Sequence, residues 1–140
     1  MVGGGPTGVE VAGQLAILSR HAMKRHFRRI DPGAVRVILL DAGERVVPAF
    51  SEELSAKAAH ELDSLGVTVR EGCMVTSIEP DGVTIEGPGG EERIAAKTVI
   101  WAAGVHAAGL TEILARATGA STDRGGRIEI NPDLTVPGHP

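Results

Sequence analysis

The stretch Gly3-Gly4-Gly5-Pro6-Thr7-Gly8 fits the pattern G-x-G-x-x-G and leads directly into Val9-Glu10-Val11-Ala12. In a dinucleotide-binding unit, a turn of this kind joins the first parallel strand to the first helix. Only Met1 and Val2 precede the turn, so the first strand is truncated. We therefore expect the chain to be a piece of a longer enzyme.

The residues of this turn have separate expected tasks. Gly3 permits a tight turn, Gly5 lets the backbone approach a pyrophosphate, and Gly8 lets the helix pack on the sheet. Pro6 and Thr7 begin the helix, where unpaired N–H groups and the helix dipole favour an anion. The pattern predicts dinucleotide binding; a plain glycine turn and a methyltransferase loop are the alternatives.

The first half of the chain alternates between helical and strand patterns. Apolar and small residues at helical spacing predict a helix from Pro6 to about Arg29, ended by Asp31-Pro32-Gly33. The apolar run Val35–Leu40 predicts a parallel strand buried on both faces. Ser51 is expected to cap a second helix that ends before Gly66, and Val67–Arg70 is the next predicted strand.

The pattern changes after residue 73. Met74–Glu79, Gly82–Glu86 and Arg93–Ala95 are short strand-like runs, and the segments between them are rich in turn residues. These runs predict an antiparallel meander.

The last part of the chain returns to an apolar strand pattern. Thr98–Gly104 is predicted to be a buried strand, Leu110 to about Ala117 a helix, Arg127–Ile130 a short strand, and Asn131–Pro140 a linker. Two strand–helix–strand crossovers imply a parallel sheet with helices on both faces. The sequence thus predicts an α/β, Rossmann-like fold, with the truncated first strand in the middle of the sheet.

A carboxylate follows the second strand. Asp41 at this position can accept hydrogen bonds from ribose hydroxyls and would repel a 2′-phosphate, which favours NAD(H) over NADP(H). An ordinary strand-end acid that caps a turn is the alternative interpretation.

Composition excludes several other functions. The net charge is −4 and aromatic residues make up 2% of the 140 residues, which argues against nucleic-acid binding. The single cysteine, Cys73, excludes an internal disulfide and is compatible with the cytoplasm. The histidines lack metal-ligand spacing, so no metal site is predicted.

Three blocks of sequence resemble the NAD(H)-binding domain of type II NADH:quinone oxidoreductases, within the FAD-dependent pyridine nucleotide-disulfide oxidoreductase superfamily. The blocks occur in the expected order and are Val2–Glu10 with Ala12-Gly13, Asp41–Pro48, and Thr98–Val105. The segments Phe27–Pro32 and Trp101–Val105, the latter at the end of the third block, favour the quinone-reducing branch.

The resemblance implies that residues 1–130 form the NADH domain and that residues 131–140 lead back to an FAD domain outside this sequence. The parent enzyme would pass a hydride from NADH to FAD and electrons onward to quinone. Two alternatives stay open: another flavin-dependent reductase with a ferredoxin or disulfide acceptor, and a non-catalytic nucleotide-sensing module.

The resemblance also assigns residues to the site. It places Glu10, as a catalytic residue, near the nicotinamide; the alternative is a first-turn glutamate stabilised by the helix dipole. It places Ala42 beside Asp41, Ala103 and Gly104 along the cofactor, and Val75 against adenine. Val75 is equally compatible with a place in the hydrophobic core.

Cations crowd the predicted end of the first helix. They allow two interpretations, a solvated helix end or contact with anionic lipid on the inner face of the cell membrane. The residues are Arg20, His21, Lys24, Arg25, His26, Arg28 and Arg29. Without the FAD segments, we expect the chain alone to oxidise no NADH, to hold no flavin and to self-associate through its incomplete sheet.

Overall fold

The computed structural model describes residues 1–22, 31 and 34–139. The chain divides into two compact units, Met1–Ala103 and Gly104–Pro140. The end of the predicted first helix after residue 22, most of the Asp31-Pro32-Gly33 turn and most of the cationic cluster lie outside the described residues.

A parallel sheet forms the centre of the first unit. Strand β1 (Val37–Leu40) pairs in parallel with β2 (Val67–Arg70). Val2 forms one parallel bridge to Leu40 and another to Trp101, so the spatial order is β2, β1, Val2, Trp101. The prediction that the short first strand lies in the middle of the sheet is confirmed.

Two helices cover this sheet. Helix α1 (Pro6–Ile17) continues into a π-helical turn (Leu18–Ala22), and α2 (Glu52–Ser64) begins at the predicted cap, Ser51, whose Oγ accepts from the Leu54 N–H at 3.4 Å. Small residues on α1 allow the helix to approach the sheet closely. The buried cluster between helices and sheet comprises Ala12, Ala16, Leu39, Val46, Val47, Leu62 and Val67.

The predicted meander is also confirmed. Strands β3 (Met74–Glu79), β4 (Gly82–Gly87) and β5 (Gly90–Ala95) form an antiparallel sheet in sequential order, with an irregularity between Val75 and Ser77. Its buried side chains form a second cluster with the end of β1. The members are Leu40, Cys73, Val83, Ile85 and Ile94.

The second unit contains one helix, α3 (Gly109–Thr118), among its described residues. The helix ends at Gly119, which adopts a left-handed conformation with φ +72°. Single antiparallel bridges join Thr122 to Ile128 and Val136 to His139.

The prediction of a buried strand over Thr98–Gly104 is wrong. Val2 is bonded to this segment on both sides, with its N–H donating to Ile100 O at 2.9 Å and its carbonyl accepting from Ala102 N at 2.7 Å. Trp101 is nevertheless 55% exposed. An apolar run becomes a strand only where a neighbour pairs along its length. Among the residues that the structure describes, this segment pairs through one bridge, Val2–Trp101.

The prediction of a strand over Arg127–Ile130 is also wrong. The carboxylate of Asp123 accepts from the backbone N–H groups of Gly125 and Arg127, at 2.8 and 2.9 Å. These bonds close a turn, and among the described residues the segment pairs through a single bridge, Thr122–Ile128.

No helix of the described residues is long and apolar enough to cross a membrane.

Candidate functional site

The first glycine of the turn lies against the segment on the far side of Val2. Gly3 has φ +107°, in the left-handed region that favours glycine. A Cβ on Gly3 would lie 2.6 Å from the carbonyl carbon of Ala102 and from the amide nitrogen of Ala103. A Cβ on Gly8 would overlap the carbonyl oxygen of Gly3. The fold therefore requires glycine at positions 3 and 8.

Gly5 differs from these two glycines. Its φ of −69° is open to any residue, and no heavy atom of the described chain lies within 4 Å of the place where a Cβ would stand. The space in front of Gly5 is therefore open to an approaching ligand. The fold itself does not require glycine at position 5.

The start of α1 borders the same space. Gly5 is the N-cap, and no side chain of the described residues caps the helix. Helix geometry leaves the first N–H groups without intrahelical acceptors. Thr7 and Gly8 supply such groups, while Pro6 has none to leave unpaired. Pro6 and Thr7 are exposed, so a ligand can reach this helix end.

Asp41 follows β1 directly and reaches the glycine turn. Its Oδ2 accepts from the Gly4 N–H at 2.5 Å, and its Oδ1 accepts from the Gly43 N–H at 2.7 Å. A carboxylate has about four acceptor positions. Two remain after these bonds, so Asp41 can cap its own loop and still accept from a ribose diol.

Gly4 is a part of the site that the sequence pattern treats as variable. A Cβ at this position would lie 3.0 Å from Cβ and Oδ2 of Asp41. The Gly4 carbonyl accepts from the Val47 N–H at 2.7 Å, which joins the turn to the loop after Asp41. Val47 has φ +42°, a conformation that is rare for a β-branched residue.

Arg45 is engaged within the same loop. Its Nη1 donates to the Phe50 carbonyl at 2.9 Å and to Ser55 Oγ at 3.0 Å, and its Nη2 donates to the Pro48 carbonyl at 3.0 Å. The charge lies close to Asp41 in sequence, yet the guanidinium is bonded to its own loop and to α2. These three acceptors occupy the guanidinium in the structure.

Glu71 is another residue that the sequence pattern did not single out. Its Oε1 accepts from the Val46 N–H at 2.9 Å. Backbone bonds join the same two loops, from Gly72 N to Gly43 O and from Cys73 N to Asp41 O, both at 2.8 Å. The loop after β2 thus holds the loop that carries Asp41. The sequence signal that could have identified Glu71 is an acidic residue directly after β2, in the same place as Asp41 directly after β1.

The residues assigned to the two ends of the cofactor come from other parts of the chain. Ala42 and Ala103 are exposed, and Gly104 follows Ala103 with φ +97°. Glu10 is exposed and is the fifth residue of α1, so it lies beyond the first turn. The interpretation of Glu10 as a first-turn glutamate is therefore wrong.

Val75 is half-buried and packs against the meander cluster around Val83 and Ile85. This contact agrees with the core interpretation and leaves its role toward adenine a prediction.

An ion pair joins the end of β2 to the meander. Arg70 donates through Nη1 and Nη2 to the two carboxylate oxygens of Glu92, at 3.0 and 2.8 Å. The hydrogen bond from Arg70 lowers the pKa of Glu92 below its usual value. Elsewhere in the described residues, no group of three His, Cys, Asp or Glu side chains is placed to hold a metal ion.

A glycine turn at the end of a central parallel strand, an open helix N-terminus and a strand-end carboxylate define a Rossmann-like dinucleotide-binding domain. Comparison with known families then gives a narrower assignment. The chain belongs to the pyridine nucleotide-disulphide oxidoreductase family, whose model matches residues 1–139. The resemblance drawn from the three sequence blocks is confirmed.

Two similar proteins come from Mycobacterium tuberculosis. The type II NADH:quinone oxidoreductase Ndh is 44% identical over 141 residues, and NdhA is 46% identical over 142 residues. Each alignment covers 100% of this chain and 30% of the relative. The chain thus spans about 30% of the length of these relatives.

A similar solved structure is that of NDH2 from Plasmodium falciparum in complex with NADH. The TM-score is 0.73 at 23% identity, and the match covers 79% of this chain and 23% of that protein. This likeness confirms the predicted fold class.

Proposed function

We propose that this chain binds NADH and presents its nicotinamide to FAD, within a larger enzyme that passes electrons to quinone. The observation that carries the proposal is the joining of the glycine turn to Asp41 through the Gly4 N–H. That bond supports the proposal because it joins the backbone assigned to an anion to the carboxylate assigned to the ribose. The names of the two Mycobacterium tuberculosis relatives support NADH and quinone as the substrates.

The pyrophosphate is assigned to the turn itself. Gly3 and Gly8 allow the turn to form against its neighbours, and Gly5 leaves the space into which the phosphates fit. The amide of Thr7 and the start of the helix at Pro6 supply the positive end of the α1 dipole.

The sugar and the two bases are assigned to the loops around the turn. Asp41 accepts from the ribose diol, with Ala42 beside it, and Val75 contacts adenine. Ala103 and Gly104 lie along the cofactor toward the nicotinamide. Glu10 bonds the carboxamide or adjusts local protonation there, as its match to the family motif implies.

NADH supplies a hydride to FAD when both are bound, and this chain aligns the nicotinamide for that transfer. We assign the NADH domain to residues 1–130 and the return toward the FAD domain to residues 131–140. FAD is held mainly by polypeptide outside these residues. The chain by itself is therefore expected to oxidise no NADH.

We further propose that the parent enzyme sits peripherally on the cytoplasmic face of a membrane, where quinone is available. The proposal rests on the cations that follow helix α1 in the sequence and on the quinone named for the relatives. Anionic lipid attracts clustered lysine and arginine.

Self-association of this chain is proposed through a cavity of about 540 Å³ beside Val2. Apolar side chains from both flanking segments face the cavity, including Leu18, Val35, Val37 and Val99. Met1 lies at the edge of this cavity, and its amino group donates to Ile38 O at 2.8 Å. A second copy supplies the apolar segment that covers this surface.

The test of the main proposal uses the full-length parent flavoenzyme without oxygen. Addition of NADH should bleach the flavin absorbance, and addition of a quinone should restore it. Flavin that NADH leaves unchanged would refute the proposal. Restoration by a ferredoxin or a disulfide, with none by quinone, would move the enzyme to another branch of the family.

A further inference from the structure

The peptide groups of Gly4 are held from two sides. The N–H donates to Asp41 Oδ2 at 2.5 Å, and the carbonyl accepts from the Val47 N–H at 2.7 Å. Gly4 lies between Gly3, which makes the turn, and Gly5, which borders the open space for an anion. These two bonds therefore set the direction in which the backbone enters the phosphate turn.

Val47 adopts a conformation that its own chemistry disfavours. Its φ is +42°, and its side chain is 7% exposed. A β-branched residue in this region persists where the surroundings hold it. The Val47 carbonyl accepts from the Phe50 N–H at 3.0 Å and from Ser55 Oγ at 3.4 Å.

Arg45 donates hydrogen bonds to Phe50 and Ser55, the two residues that donate to the Val47 carbonyl. Its guanidinium reaches the carbonyls of Pro48 and Phe50 and the hydroxyl of Ser55, at 2.9 to 3.0 Å. Ser55 is 2% exposed, so this end of the contact is fixed in the core. A planar guanidinium can satisfy several acceptors in fixed directions at once, and a lysine ammonium does this less well.

The three acceptors of Arg45 are all neutral. In the part of the chain that the structure describes, Arg45 forms no ion pair, whereas five other arginine–carboxylate contacts are present. Because its acceptors are neutral, the Arg45 guanidinium fixes the geometry of the loop and does not neutralise a nearby carboxylate. Removal of Arg45 consequently leaves no carboxylate without its partner.

We infer that Arg45 is a positioning residue for the phosphate turn, acting through Val47 on the Gly4 carbonyl. The inference rests on the proposed function, because it assumes that the turn binds a pyrophosphate. Arg45 itself contacts its own loop and α2. Its effect on a nucleotide is transmitted by the backbone, so it should be selective for ligands that carry the phosphates.

The test compares ADP-ribose with adenosine as ligands of the whole 140-residue chain, by amide-resolved NMR titration. Arg45→Ala should raise the dissociation constant for ADP-ribose about tenfold, which corresponds to about 1.4 kcal/mol of binding free energy, because the amide donors of the turn are no longer held in place. Binding of adenosine, which lacks phosphates, should be weakened less than binding of ADP-ribose. Arg45→Lys should recover only part of the ADP-ribose affinity.

The matched control is Arg93→Ala. Arg93 lies on β5 and pairs with Glu79 and Asp81 at 3.2 and 2.5 Å, so its replacement removes the same charge at the meander. ADP-ribose affinity should be unchanged in this variant. Amide hydrogen exchange at Val47 should accelerate in Arg45→Ala and stay unchanged in Arg93→Ala.

Three results would overturn the inference. Unchanged ADP-ribose binding in Arg45→Ala would do so and would leave the proposed function intact. An equal loss of ADP-ribose and adenosine binding would make Arg45 a purely structural residue. If Arg45→Ala does not fold, Arg45→Lys decides, and full ADP-ribose affinity there refutes the inference. A wild-type chain with no response to ADP-ribose would instead refute the proposed function.

Discussion

The carboxylate of Asp41 is bonded to the backbone of the glycine turn, with its Oδ2 accepting from the Gly4 N–H at 2.5 Å. A strand-end acid and a phosphate turn thus form one unit, although 37 positions separate them in sequence. Any change at Asp41 is therefore expected to affect both the ribose and the turn.

Preference for NADH over NADPH is the first expected consequence. A 2′-phosphate beside Asp41 would suffer like-charge repulsion, and Arg45 is occupied by its bonds to Pro48, Phe50 and Ser55. Calorimetric titration of the parent enzyme with both cofactors measures the preference. Asp41→Asn should narrow the gap by removing the charge. Equal or tighter binding of NADPH than of NADH by the wild type would contradict this prediction.

Substitutions at Gly5 and Gly8 should have different effects, the first on NADH binding and the second on the stability of the fold. Gly5→Val places a side chain in the open space for the phosphates, at a backbone conformation that valine accepts, so binding should be lost and the melting temperature kept. Gly8→Ala forces a Cβ against the Gly3 carbonyl, and overpacking of this kind costs about 1–3 kcal/mol. Thermal unfolding and NADH titration of both variants provide the comparison. Strong NADH binding by Gly5→Val would contradict the assignment.

Glu10 should matter for turnover more than for stability. It is exposed and lies beyond the first turn of α1, so Glu10→Gln should leave the melting temperature of the full-length enzyme near that of the wild type. The rate of flavin reduction by NADH, followed across pH, should change. Identical pH profiles for the two enzymes would leave Glu10 without a catalytic role.

The Arg70–Glu92 pair should stabilise the fold in a pH-dependent way. The pKa of Glu92 is lowered by the hydrogen bond from Arg70, so the folded state favours the charged carboxylate. This contribution is present above the ordinary glutamate pKa of 4.5 and is lost as pH falls through the lower, folded-state pKa. Urea unfolding of wild type and Glu92→Gln should differ at neutral pH and converge in acid. A difference in the free energy of unfolding that grows as the pH falls would contradict this pH dependence.

Self-association should depend on the apolar cavity beside Val2. Light scattering should find the chain larger than a monomer, and Val35→Glu, which places a charge on the cavity wall, should shift it toward the monomer. The preparation should also lack flavin absorbance. A monomeric wild type that binds NADH tightly would show that the short first strand is sufficient.

Sequence patterns predicted the elements whose causes are local or periodic. The Ser51 cap and the left-handed Gly66 after α2 follow from short-range chemistry. The parallel pairing of β1 with β2 follows from the strand–helix–strand order. The central place of Val2 followed from the handedness of the crossovers. These features fixed the fold class without tertiary information.

Contacts between loops were beyond the reach of sequence patterns. The bonds of Gly4 to Asp41 and Val47 join residues that share no periodicity, so Gly4 counted only as a variable position of the motif. The prediction of a buried strand over Thr98–Gly104 was wrong for a different reason. Apolar composition indicates burial only where a neighbouring strand covers the segment. Pairing partners, more than composition, decided both cases.

The most direct test of the account is an NMR titration of the chain with NADH. We predict that the amide signals of Gly5, Thr7 and Gly8 shift together and reach saturation, and that Gly5→Val abolishes the shifts. Saturable shifts confined to other residues, with these three amides unmoved, would contradict the assignment of the glycine turn as the nucleotide site.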